Sequence, residues 1–215
     1  MYIPEHFAAD DADALIARIA RRWAGVLVSV DADRTPTGTH LPILWDGARK
    51  VAAGHIARVN PHWQLGAGRG LIVLSGPETY VSPSLYPSKA EHGKAVPTWN
   101  YEAVHLSGRV NWFDDAERLE VIVRALSNRH EEGRAAPWSI DDAPRPYIEA
   151  MLRGIVGVEL HVDRIEAKRK LSQNKNDADF AAVVEGLAAS NDPLAREVGS
   201  RMRDLRATGD DPDGN

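Results

Sequence analysis

The sequence contains no cysteine, and this absence removes several kinds of chemistry at once. Disulfide bonds, thiolate metal sites and cysteine nucleophiles are all excluded. No apolar run approaches the roughly 20 residues that a membrane-spanning helix needs, so we expect a soluble, cytoplasmic protein without membrane contact. The first residues, MYIPEHFAADD, are acidic and include proline, and they therefore predict no signal peptide.

Signature motifs of common catalytic and binding sites are also missing. The chain has no glycine-rich phosphate loop, no G-x-S-x-G motif and no convincing helix-turn-helix. None of the eight histidines forms an i, i+4 pair with another, so we predict no metal site. A formal net charge of −5 argues against a protein that coats nucleic acid through bulk electrostatics.

The pattern of apolar residues predicts a mainly β protein. A hydrophobic content of 43% is enough for a full core. Five or six strands are predicted, at 26–30, 40–46, 50–59, 70–76, 98–113 and from 156 onward, with a turn at 31–40. Helices are predicted at 10–23, 114–132, 147–156, 177–190 and 192–207, the second with an apolar stripe at Leu119, Ile122, Val123 and Leu126. Residues 98–113 alternate between apolar and polar, as a half-buried strand does. Hairpin-like spacing of the strands favours an antiparallel β-barrel with flanking helices.

Residues 76–101, GPETYVSPSLYPSKAEHGKAVPTWNY, form the most unusual stretch of the chain. Four prolines exclude a continuous helix, while three tyrosines and a tryptophan supply groups that can be buried. We interpret the stretch as a loop held against a planar ligand; the alternative is a proline-rich loop folded over the core. Lys89 offers a cation, and Thr98, Trp99 and Asn100 offer groups suited to a heteroaromatic ring.

The segment GHIARVNP at 54–61 carries groups suited to a phosphate. It places His55, Arg58 and Asn60 just before a break at Pro61. The guanidinium of Arg58 offers a rigid fork of donors, to which the histidine and the amide can add. The alternative is a surface arginine beside a core histidine.

The segment KLSQNK at 170–175 is a second polar candidate. Ser172, Gln173 and Asn174 would each need a hydrogen-bond partner in a packed core, which makes a core role unfavourable for the run. Lys170 and Lys175 add a cation at each end of the segment. The alternative is a polar turn that precedes the helix predicted from residue 177.

Taken together, these segments resemble the PaiB-type family of FMN-binding negative transcriptional regulators. The matching motifs occur in family order, and they are MYIPEHF, HLPI, GHIARVNPHW, GPETYVSPSLYPSK, VPTWNYEAVHLSG, HEEGRAAPW, IVGVEL and KLSQNK. One departure is Leu85, where family members commonly have tryptophan. The resemblance implies an FMN-binding split barrel similar to pyridoxamine-phosphate oxidase, with FMN at the interface of a homodimer. It also implies a role in gene repression, with DNA as a partner by family resemblance alone.

The resemblance further implies which residues bind FMN. Arg58 is expected to contact the phosphate, and the edge or face of the isoalloxazine is expected to meet residues 98–100. Residues 172, 173 and 175 are expected to close the site from the partner subunit. The expected cofactor-binding residues are His55, Arg58, Asn60, Lys89, Thr98, Trp99, Asn100, Ser172, Gln173 and Lys175.

The sequence leaves the domain organisation and the activity as expectations. We expect a split-barrel domain at 1–175, a helical extension at 176–207 and a disordered tail at 208–215. A flavin-dependent oxidoreductase acting on a small molecule is one alternative function, and its candidate proton donors are Tyr80, Tyr86, Tyr101 and His105. A haem-binding or haem-degrading protein is another, with His6 or His92 as the iron ligand. Whether the chain is an enzyme, and with which catalytic residues, stays open.

Overall fold

Long antiparallel strands dominate the structure, a computed structural model that describes residues 1–207. The strands of this part are β1 (Gly25–Val30), β2 (Pro36–Leu41), β3 (Leu44–Asp46), β4 (Val51–Ala57), β5 (Gly68–Val81), β6 (Thr98–Phe113) and β7 (Ile155–Lys170). Within the described residues they form one seven-stranded sheet in the order β2–β1–β5–β6–β7–β4–β3. The count exceeds the five or six strands predicted from sequence.

Five of the six α-helices of residues 1–207 fall close to their predicted positions, whereas the one at Ser88–His92 lies in the stretch interpreted as a loop and was not predicted. The six are α1 (Ala12–Arg22), α2 (Ser88–His92), α3 (Ala116–Glu131), α4 (Arg145–Arg153), α5 (Asp177–Ala188) and α6 (Pro193–Ala207). Short 3-10 helices occur at Glu5–Phe7, Pro61–Leu65, Pro83–Leu85 and Ile140–Asp142. None of the helices in this described range is long and apolar enough to cross a lipid bilayer.

The described chain divides into two compact units. The first unit comprises Met1–Asp10, Ser75–Ala103 and the chain from Ala167 to residue 207, and the second comprises Asp11–Leu74 and Val104–Glu166. The predicted domain boundary between residues 175 and 176 stays a prediction. The tail predicted to be disordered, 208–215, lies outside the described residues.

The hydrophobic core of the first unit is built largely by its two C-terminal helices. Helices α5 and α6 pack against apolar residues of β5 and of the segment after β7. The largest contributors are Val81, Tyr86, Leu171, Phe180, Val183, Leu187, Val198 and Met202. Leu85, the position that departs from the family pattern, is partly buried and packs against this cluster.

The second unit has a satellite core between α3 and α4. Leu119 of α3 packs with Ile148 and Leu152 of α4, and Ile140 of the intervening loop completes the cluster. The apolar stripe predicted for α3 is therefore confirmed. Its N-terminus is also capped, because the side chain of Asp115 accepts a hydrogen bond from the N–H of Arg118.

Two sequence expectations about loops are wrong. Residues 36–40, predicted as a turn, belong to β2, and Pro36 is tolerated because it opens a strand at the edge of the sheet. Strand β5 continues to Val81 through the start of the stretch interpreted as a loop. Pro77 lies beyond the segment 70–73 that pairs with β1, where a missing N–H is tolerated.

Strand β6 presents two chemically different faces. The predicted alternation is confirmed, since side chains at even positions from 100 to 110 are buried. Two of these buried side chains are polar, Asn100 and Glu102. Trp99 and Tyr101 point to the opposite face, where Trp99 keeps 47% of its surface exposed. This face carries the candidate site described below.

Candidate functional site

The sequence-predicted site residues fall into two groups, one in each unit. His55, Arg58 and Asn60 lie in the second unit. The first unit holds the others, which are Lys89, Thr98, Trp99, Asn100, Ser172, Gln173 and Lys175. Each group is described in turn.

Arg58 follows the end of β4 and is anchored by backbone carbonyls. Its Nε donates to the carbonyl of Arg153 at 2.8 Å, and its Nη2 donates to that of Ile155 at 3.1 Å. Nη1 lies 3.6 Å from a carboxylate oxygen of Asp114. A guanidinium has five N–H groups, so three make no hydrogen bond here, but two of these are on the Nη1 that faces Asp114; the side chain is 37% exposed. The predicted phosphate role of Arg58 stays a prediction.

Asn60 has both ends of its amide engaged inside the second unit. Its Oδ1 accepts from the N–H of His62 at 3.0 Å and caps the 3-10 helix that follows. Its Nδ2 donates to Thr39 Oγ1 at 3.2 Å, and that hydroxyl also lies 2.8 Å from His62 Nδ1. This geometry gives Asn60 a structural task; a ligand role stays a prediction.

Two histidines of the second unit are held neutral by burial. The Nδ1 of His55 and the Nε2 of His62 are buried and have no hydrogen-bond partner among the described residues. Burial lowers the pKa of both imidazoles from the ordinary value, since desolvation penalises the charged form. A neutral imidazole is a weaker phosphate donor than a cation.

In the first unit, three predicted ligands are buried and bonded to protein groups. Ser172 Oγ donates to Asn100 Oδ1 at 3.0 Å, and Asn100 Nδ2 contacts Met202 Sδ at 3.6 Å. Gln173 accepts from the N–H of Leu171 and donates to the carbonyl of residue 169, both at 2.7 Å. Asn100 is 0% exposed. A ligand could therefore reach Asn100 only if covering groups moved, and the ligand roles stay predictions.

Three consecutive cationic residues end β7, and their side chains alternate between the two faces of the strand. Arg169 points inward to the buried Glu102, with 3.4 Å between Nε and Oε1. Lys168 and Lys170, at i and i+2, share the other face. Lys170 Nζ donates to the hydroxyl of Thr98 and, at 2.7 Å, to the carbonyl of Trp99. Lys170 therefore holds Thr98 and Trp99 by hydrogen bonds. Lys170 was not among the cofactor-binding residues predicted from the sequence.

Three ammonium groups, which we call the lysine cluster, share this region of the first unit: Lys168, Lys170 and Lys175. Among residues 1–207, none of them makes an ion pair with a carboxylate. The pKa of Lys170 is lowered by burial first and then by the positive charges of its two neighbours. Lys175 also interacts electrostatically with the carboxylate of Asp179. The uncompensated positive charge is therefore that of Lys168 and Lys170, and it favours a bound anion.

An exposed pair of aromatic rings lies on the same face. The indole N–H of Trp99 donates to Glu78 Oε2 at 3.2 Å, which fixes the orientation of the ring. The ring of Tyr80 lies 6.4 Å from that of Trp99, and Tyr80 is 49% exposed. Such a pair can accept a planar ring by stacking.

Lys89 is exposed on the short helix α2. The N–H and Oγ of Ser88 donate to the carboxylate of Asp179 at 3.0 and 2.7 Å, which ties α2 to α5. No group of three or more His, Asp or Glu side chains in the described range is arranged to hold a metal ion.

The signal that could have revealed Lys168 and Lys170 is the alternation in AKRK at the end of β7, where lysines occupy one face and arginine the other.

Comparison with solved structures identifies the class of fold. The chain is similar to an FAD- and heme-binding protein from Mycobacterium smegmatis, with a TM-score of 0.56, 17% identity and coverage of 83% of this chain and 80% of that one. It is also similar to the flavocytochrome Anf3 from Azotobacter vinelandii, with a TM-score of 0.55, 13% identity and coverage of 84% and 78%. The protein therefore has the split-barrel fold, mainly β with flanking helices, as predicted.

Comparison of sequences identifies the family. Residues 1–164 match the model described as "Putative FMN-binding domain". The chain is 32% identical to the protease synthase and sporulation protein PAI 2 of Bacillus subtilis over 208 aligned residues. This alignment covers 95% of this chain and 97% of that relative. The chain belongs to this PaiB-type, FMN-binding family, and FMN is the cofactor that the family assigns to it.

Proposed function

We propose that the protein is an FMN-binding regulator that acts as a cytoplasmic homodimer, with the flavin phosphate held at the lysine cluster. One observation carries the assignment of the site: the ammonium groups of Lys168 and Lys170 lie 5.8 and 5.9 Å from the ring centroid of Phe7, and neither makes an ion pair with a carboxylate among residues 1–207. A phosphate monoester would compensate this charge through charge-assisted hydrogen bonds, which are about twice as strong as neutral ones. Family membership supports FMN as the source of that phosphate.

The residues around the lysine cluster fit the rest of the cofactor. The hydroxyl of Thr98 adds an acceptor that orients the ammonium of Lys170. The exposed ring of Trp99, fixed by Glu78, offers a stacking surface for the isoalloxazine. The buried residues 100, 172 and 173 support this face from behind. When bound, FMN supplies a ring that can accept and release electrons.

The predicted contributors of the second unit are the alternative phosphate donors, in place of the lysine cluster. Arg58 retains three N–H groups beyond those used by backbone carbonyls. His55 and Asn60 would assist it. These assignments are supported by the sequence motif and by the exposure of the Arg58 side chain.

We propose a regulatory role without obligatory turnover, in which bound FMN biases the shape of the dimer or its choice of partner. The full-length similarity to the B. subtilis sporulation protein supports this role. Direct DNA contact through α6 gains little support, because two of its arginines form local ion pairs. Arg206 Nη1 lies 2.9 Å from Asp177, and Arg201 Nη2 lies 3.2 Å from Glu197.

A titration with FMN and riboflavin tests the proposed site. In Lys170→Met, the loss of a charged hydrogen bond is expected to cost about 1.5–3 kcal/mol of FMN binding. That loss corresponds to an increase of about 10- to 100-fold in Kd, measured by flavin fluorescence or difference absorption. Riboflavin lacks the phosphate, so its affinity should change little.

The matched control is Lys94→Met, which removes an exposed lysine of the same unit. Its FMN affinity should equal that of the wild type. Unchanged FMN affinity in Lys170→Met would remove the phosphate from the lysine cluster.

The two alternative functions are separated by the same spectroscopic approach. Bleaching of bound flavin by a nicotinamide cofactor, followed by reoxidation with an acceptor, would favour an oxidoreductase. A sharp Soret band in the purified protein would favour haem. The structure supplies no specific observation for either: His6 packs its ring against Phe7 at 4.1 Å, and His92 Nδ1 accepts from the N–H of Lys94 at 3.0 Å.

A further inference from the structure

The N-terminal arm, residues 1–9, is fastened to the end of β7. Ala8 forms an isolated antiparallel bridge with Lys168, and the N–H of Ala9 donates to the carbonyl of Ala167 at 3.2 Å. A 3-10 turn at Glu5–Phe7 precedes the bridge and buries the ring of Phe7. The arm therefore lies within the first unit, beside the strand that carries the lysine cluster.

Lys168 links this arm to the cluster. Its side chain is only 7% exposed, yet among the described residues its ammonium makes a single hydrogen bond, to the carbonyl of Tyr2 at 3.0 Å. An ammonium has three donors, so two are left over in a buried position. Rings surround it: Nζ lies 5.4 Å from the centroid of Tyr101 and 5.8 Å from those of Tyr2 and Phe7.

The arm also reaches the second lysine. Lys170 Nζ lies 5.9 Å from the ring centroid of Phe7. Tyr2 is 82% exposed, so most of its ring is available to a ligand. Two ammonium groups and two arm aromatics thus converge at one place, which is chemically suited to an anion attached to an aromatic system.

We propose that the N-terminal arm forms one wall of the FMN site and that Lys168 bridges the arm and the phosphate. The ammonium donates to the Tyr2 carbonyl on one side, and its two remaining donors serve the anion on the other. Occupancy of the site and docking of the arm are then coupled, and phosphorylated flavin is selected over riboflavin. This inference rests on the proposed function, because it takes the lysine cluster as the phosphate site.

The test combines ligand titration with hydrogen exchange on the full chain. In the wild type, FMN should slow amide exchange in residues 5–9, whereas riboflavin should have little effect. Lys168→Met should raise the Kd for FMN about tenfold or more and abolish this protection, with riboflavin affinity changed less than about threefold. Lys168→Arg, which keeps charge and donors, should recover much of the FMN affinity. Lys94→Met serves as the control for charge alone.

The outcomes separate the two levels of inference. If Lys170→Met loses FMN affinity while Lys168→Met binds FMN like the wild type, the arm is not part of the site, although the proposed function survives. If FMN binds tightly but leaves exchange in residues 5–9 unchanged, the coupling is also overturned. If neither lysine variant alters FMN binding, the lysine cluster is not the phosphate site and both inferences fail together. Faster exchange of the arm in unliganded Lys168→Met would support the bridging role without FMN.

Discussion

Arg58→Ala should destabilise the protein in the absence of any ligand. The substitution removes two hydrogen bonds from a charged guanidinium to the carbonyls of Arg153 and Ile155. Hydrogen bonds of charged groups contribute about 1.5–3 kcal/mol each, and discounting for a side chain that is 37% exposed leaves a loss of about 2 kcal/mol in total. For a chain of this length, such a loss lowers Tm by about 4–8 °C.

Urea and thermal unfolding, followed by circular dichroism, measure this loss, and an unchanged m-value would show that the denatured state is unaffected. Arg49→Ala is the matched control, since that side chain is 68% exposed and its one ion pair spans 4.0 Å; a change below about 0.5 kcal/mol is expected there. Wild-type stability in Arg58→Ala would refute the reasoning. Parallel FMN titration tests the predicted phosphate role, because only that role lowers FMN affinity while sparing riboflavin.

Two further predictions concern the second unit. Gly108→Ala would drive a Cβ into a backbone carbonyl of β7 and should cost about 3 kcal/mol or more, whereas Gly68→Ala, with open space around it, should change the urea midpoint little. Burial lowers the pKa of His55 and His62 in the folded state, so the unfolded state binds protons more readily. Stability should therefore fall as pH drops below about 6.5, with a weaker slope in His62→Gln but not in a variant of the exposed His92, and a pH-independent midpoint would contradict this.

Local patterns were sufficient for much of the fold. The alternation over residues 98–113 predicted β6 with its bounds, because a strand with one buried face has a period of two. The same reasoning failed at residues 36–40, where threonine, glycine and proline suggest a turn. An edge strand such as β2 needs few apolar residues, and its pairing with β1 supplies what its own sequence does not indicate.

The candidate site was less accessible to sequence reasoning. Asn100 was predicted as a ligand because an amide suits a heteroaromatic ring, and Ser172 because a polar run is unfavourable in a core, yet the two hydrogen-bond to each other across 72 positions of the sequence. Conversely, Lys168 and Lys170 look like ordinary surface lysines in the sequence. Only the tertiary structure shows that both ammonium groups lie near the Phe7 ring of the N-terminal arm and that neither pairs with a carboxylate within residues 1–207.

The sequence by itself determined the class of protein: no cysteine chemistry, a mainly β fold, and an FMN-binding family recognisable from motifs in order. Those properties depend on composition, hydrophobic periodicity and short sequence motifs, all of which can be read directly from the sequence. Only the tertiary structure decided which polar groups are satisfied internally and which remain available. Burial and hydrogen-bond partners come from residues far apart in sequence, such as Arg58 with Arg153 and Lys168 with Tyr2. The hydrophobic pattern of the sequence does not indicate which of these distant residues contact each other.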